Sequence, residues 1–69
     1  MASLDHQHQT VEVPPALAQA LARDAEAAAA FDALADSHRR EYARWVAEAK
    51  RDETRERRAQ KTLERLRSG

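Results

Sequence analysis

Sixteen alanines and only thirteen larger apolar side chains must supply whatever core this 69-residue chain builds. Two of the thirteen, Met1 and Leu4, stand in the polar stretch MASLDHQHQT, so about eleven remain to anchor a fold. A chain of this size buries only roughly 60% of its unfolded surface, which leaves room for one small domain. One glycine and two prolines among many Ala, Glu and Arg residues favour helix over sheet. The absence of cysteine rules out disulfides, thiolate metal sites and a cysteine nucleophile. The longest apolar run, Ala27 to Phe31, is far short of the roughly 18 residues that cross a bilayer. The first residues have neither a basic nor an apolar leader pattern, which predicts a cytoplasmic protein.

The pattern along the chain predicts an all-α domain, a bundle of about four short helices over residues 12–67, behind a disordered tail at 1–11. Pro14-Pro15 suits a first helical turn, and Leu17 and Leu21 form the stripe of a helix running to about Arg23. Val13 can pack back on that stripe as a hydrophobic staple. Asp24 is a good N-cap for a second helix that buries Phe31 and Leu34. Asp36-Ser37 offers a cap for a third helix, on which Tyr42, Trp45, Val46 and Ala49 recur at helical spacing. Asp52 can cap a fourth, with Ala59, Leu63 and Leu66 as a thin apolar stripe. On this reading Trp45 is the central core residue, held by Leu17, Leu21, Phe31, Leu34, Val46 and Leu63. Tyr42 and Phe31 join it as structural residues, and His38 packs or hydrogen-bonds locally in the third helix.

A net charge of zero conceals an uneven distribution. Residues 1–36 hold one basic side chain against six acidic ones, giving −5, and residues 37–69 hold eleven against six, giving +5. Arginine outnumbers lysine ten to two, and planar guanidinium groups suit bidentate binding of carboxylate or phosphate. Arg51, Arg55 and Arg58 share one helical face by spacing, and Arg57, Lys61 and Arg65 share another. Arg51, Arg55, Arg57, Arg58 and Lys61 are therefore the candidate partner-binding residues. Internal pairing with the acids is expected for Arg55, with Arg57 and Arg58 more exposed. No catalytic, cofactor or metal constellation emerges. His6 and His8 form a lone pair in the tail, and consecutive Asp36, Ser37 and His38 cannot form a catalytic relay.

Residues 13–66 resemble the helical domain of the bacteriocin-protection, YdeI or OmpD-associated family. The stretches that carry the resemblance are VPPALAQAL at 13–21, FDAL at 31–34, SHRREYARWVAEAKR at 37–51 and ETRERRAQK at 53–61. The chain departs from the family pattern at Asp52, where proline is usual, and at Ala59, where a larger aliphatic is usual. Those departures predict a weakly anchored fourth helix. The resemblance implies an all-helical module and a link to bacteriocin or antimicrobial-peptide resistance and envelope stress, and it names no reaction.

Residues and resemblance together predict a non-enzymatic interaction module without a cofactor. Its expected partner is a protein, with self-association as a second way to bury surface. The alternative is a nucleic-acid-binding domain using the C-terminal arginine-rich helices, against which the neutral total charge weighs.

Overall fold

Pro14 and Pro15 start the first helix with backbone angles that proline already holds: Pro14 is the N-cap and Pro15 the first helical residue. The computed structural model describes residues 12–68, which form four helices in chain order. They are α1 (Pro15–Ala22), α2 (Ala25–Ala33), α3 (Asp36–Glu48) and α4 (Asp52–Ser68). The expected tail at 1–11, with its histidine pair, lies outside the described residues.

Asp24 caps α2 as expected, its carboxylate accepting from the Ala27 N–H at 3.1 Å. The other two predicted caps fall differently. Asp36 lies inside α3, whose N-cap is Ala35 without a side-chain bond. Asp52 is likewise the first residue of α4 and its carboxylate accepts from Arg55 at 3.1 Å. Both acids still favour their helices, because negative charge in the first turn opposes the helix dipole.

The first three helices end without help from glycine, at Arg23, Leu34 and Ala49. The residues that follow α2 and α3, Leu34 and Ala49, turn directly into extended backbone, and no described residue has a positive φ. The usual left-handed cap is thereby lost, and the last carbonyls need other donors. Arginines of the following helix provide them. Arg39 of α3 donates to the Asp32 carbonyl of α2 at 2.9 Å. Arg55 of α4 donates to Ala49 at 2.8 Å, and Arg58 donates to Trp45 at 2.7 Å.

The core is built from small residues around a few large ones. Leu17, Phe31, Val46 and Leu63 are buried with Ala20, Ala27 and Ala59. Val13, Leu21, Leu34, Tyr42 and Leu66 pack against this cluster from its edge. Thr62 is fully buried, its hydroxyl donating to the Arg58 carbonyl at 2.9 Å. The expectation of a weakly anchored fourth helix is corrected: α4 packs against all three others, and Ala59 is 1% exposed. The small side chain at 59 lets neighbouring backbones approach, so contact area replaces side-chain volume.

Trp45 is the main departure from expectation. It is 36% exposed and does not belong to the core. The buried stripe of α3 runs instead through Ala43 and Val46 and on to Ala49 just beyond its end, with Tyr42 at its edge. Residues 45 and 46 differ by about 100° around the helix, so the stripe that buries Val46 carries Trp45 onto its flank. An indole suits that place, since its ring can lie on apolar surface while its N–H meets water.

Two variants test this architecture. Leu17→Ala empties the centre of the core and should cost about 2–5 kcal/mol, a large share of the stability of so small a domain, read as loss of the thermal helix transition. The second variant concerns Asp24, which pairs with Arg67 and so ties the start of α2 to the end of α4. The Ala27 N–H, and after it Arg67, hold its carboxyl below the ordinary value of 3.8 against the opposing pull of partial burial. A depressed carboxyl stabilises the fold above its unfolded pKa, and that contribution disappears as pH falls through the folded value. Asp24→Asn keeps a capping side chain but cannot ionise. The wild-type chain should melt above this variant at neutral pH, and the gap should close below pH 3.8.

Candidate functional site

Helix α4 runs back along α3 after a three-residue connection, Ala49 to Arg51. The bonds from Arg55 to residue 49 and from Arg58 to residue 45 set an antiparallel register. Continued by whole turns, that register brings Lys61 beside Tyr42 and Arg65 beside His38. Between the two helices lies an open groove of about 780 Å³, lined by Leu34, His38, Glu41, Tyr42, Trp45, Lys61 and Arg65.

Its walls differ in chemistry. His38, Glu41, Tyr42 and Trp45 stand at i, i+3, i+4 and i+7 along α3 and form one continuous face. Lys61 and Arg65, one turn apart on α4, form the other. Leu34, Tyr42 and Trp45 supply the apolar surface between the charged rims.

Trp45 is met twice by Arg58 within this arrangement. The Arg58 guanidinium carbon lies 5.2 Å from the centre of the indole ring, while its NH1 donates to the carbonyl of the same residue. One side chain thus contacts both the backbone and the ring of Trp45, and the residue stays partly exposed at the groove. A cation over an indole contributes about 0.5–1 kcal/mol at an exposed site.

The structure divides the arginine face that spacing alone would assemble. Arg55 and Arg58 are half-buried and engaged with carbonyls at the end of α3, Ala49 just beyond it and Trp45 within it. The expectation of a more exposed Arg58 is therefore corrected, because its position over Trp45 covers it. Arg55 is engaged internally, through Ala49 and Asp52. Arg57 is exposed and 3.5 Å from Glu53, and Arg51 is exposed ahead of α4. Lys61 is exposed and in the groove. Phe31 is in the core, Tyr42 bridges core and groove, and His38 is exposed on the groove wall instead of packed.

Sequence reasoning missed Leu34, Glu41 and Arg65 as groove residues. The signal was present in two stripes, 38/41/42/45 and 61/65, but nothing local shows that these stripes face each other. Among the described residues, no three His, Cys, Asp or Glu side chains gather to hold a metal ion. No described helix is long and apolar enough to cross a membrane.

Comparison with known proteins adds one finding. Residues 10–69 match the family model described as bacteriocin-protection, YdeI or OmpD-associated. No curated protein and no solved structure shows a significant match to the chain.

Arg58 and Arg57, adjacent in sequence, should respond oppositely to truncation. Arg58→Ala removes a charged hydrogen bond and the cation over Trp45, and should cost about 1–2 kcal/mol with loss of the near-ultraviolet dichroism of the indole. Arg58→Lys should restore little, since an ammonium lacks the planar fork. Arg57→Ala should stay within about 0.5 kcal/mol of wild type in thermal unfolding.

Proposed function

The chain belongs to the bacteriocin-protection, YdeI or OmpD-associated family, and from that premise we propose that it is a non-enzymatic helical module that docks a segment of another protein in the α3–α4 groove. The observation that carries this reading is Trp45, about one-third exposed in the groove and clamped by Arg58. Tryptophan is the residue most concentrated at binding hot spots, where a rigid aromatic anchor sits within a polar rim. The clamp lowers the entropy lost when a partner orders that side chain.

The shape of the groove agrees with binding more than with catalysis. It is open to solvent, whereas general acid–base and nucleophilic chemistry draw on closed sites that exclude water. The family description points the same way, since "OmpD-associated" describes an association and "bacteriocin-protection" a setting, neither of them a reaction. In this reading the module contributes to bacteriocin or antimicrobial-peptide resistance by holding a protein partner.

Trp45→Ala tests the proposal on two measurements. A tryptophan at the core centre costs about 3–5 kcal/mol when truncated, whereas this one should cost about 1–2 kcal/mol and leave a cooperative helical transition. Proteins that co-purify with the wild-type chain should be lost from the variant and retained by Arg51→Ala, an exposed control outside the groove. Unfolding of Trp45→Ala, or undiminished capture by it, would overturn the reading.

A further inference from the structure

Six cations lie on α4, and the structure separates them into two groups. Arg55 and Arg58 bind the carbonyls of Ala49 and Trp45, Arg57 pairs with Glu53, and Arg67 pairs with Asp24. Lys61 and Arg65 are the remaining two, and neither has an ion-pair or side-chain hydrogen-bond partner among the described residues. Both line the groove, one helical turn apart, opposite the Trp45 face.

Building on the docking role proposed above, we infer that the groove takes a short amphipathic segment of a partner protein, whose carboxylates pair with Lys61 and Arg65 while an apolar side chain lies against Trp45. Charge complementarity selects this occupant. Two unpartnered cations attract acids on one wall, and Glu41 on the other repels them, so the acidic edge of the segment must face α4. Carboxylates one turn apart on a helical segment match the spacing of about 5–6 Å between positions 61 and 65. The groove face from His38 to Trp45 extends about 10 Å along α3, which accommodates about two helical turns of a partner. A cationic peptide would meet Lys61 and Arg65 with like charge.

The test uses the whole chain, labelled with nitrogen-15, and a synthetic helical peptide of about fifteen residues. One edge of the peptide carries Glu at i, i+4 spacing, and the adjoining face carries Leu and Phe. Trp45 is the sole tryptophan, so its indole N–H reports on the groove without ambiguity. The Glu peptide should shift that signal and the amides of Lys61 and Arg65, and should bind more weakly as salt rises. Lys61→Glu combined with Arg65→Glu should weaken binding about tenfold, and a Lys-for-Glu peptide should then bind the double variant better than the Glu peptide does. Both positions are exposed, so the double variant should keep its helical dichroism; Lys61→Gln and Arg65→Gln singly carry the test if it does not.

Failure of the Glu peptide to bind, equal binding of a Gln-for-Glu peptide, or indifference to the double variant would overturn the inference. Loss of partner capture by Trp45→Ala would still uphold docking in the groove, so the two readings fail separately. A short DNA duplex that displaces the peptide, or a concentration-dependent dimer that covers Trp45, would also overturn it by identifying another occupant.

Discussion

Helices that end without glycine need donors for their last carbonyls, and in this chain arginine side chains supply them. Arg39 reaches back to α2, and Arg55 and Arg58 reach back to α3. Each bond satisfies a carbonyl near the negative end of the helix dipole and places a fixed positive charge there. Each also spans two helices, so the same contact that finishes one helix orients the next. The two bonds from α4 are six and thirteen residues long in sequence, and together they set its antiparallel register on α3. The groove exists because of that register.

A core composed largely of alanine follows the same economy of volume. Ala20, Ala27, Ala43, Ala49 and Ala59 are all buried, and they let helices approach closely around Leu17, Phe31, Val46 and Leu63. An indole has no place at such a closely packed seam. Trp45 sits on the flank, where Arg58 covers part of it and the groove receives the remainder. The largest side chain of the protein thus stands partly exposed at the groove, beside a seam of buried alanines.

Charge is sorted by the same geometry. Four α4 cations are engaged by carbonyls or carboxylates of the chain itself, and the two without such a partner among the described residues both face the groove. The summed charge of the C-terminal half is therefore a poor guide to its binding surface. Arginines needed at helix ends inflate that charge, while Lys61 and Arg65 carry the part that faces the groove.

Much of the fold was legible in the residues themselves. Helix propensity, Pro15 at a first turn, Asp24 as a cap and the 3.6-residue recurrence of large apolar positions locate four helices within a few residues of their observed bounds. These are local properties, and each acts over a turn or two of the chain. The side on which Trp45 would lie was not legible, because Tyr42, Trp45, Val46 and Ala49 span an arc wider than the seam that buries Val46. Which arginines would be engaged was equally hidden, since identical spacing puts Arg55 and Arg58 on a helix face whether that face meets solvent or the end of α3. The sequence by itself determined the helices and the supply of charge. Only the tertiary structure decided that Trp45, Lys61 and Arg65 face a common groove, because that depends on the distance and register between α3 and α4, set by contacts many residues apart.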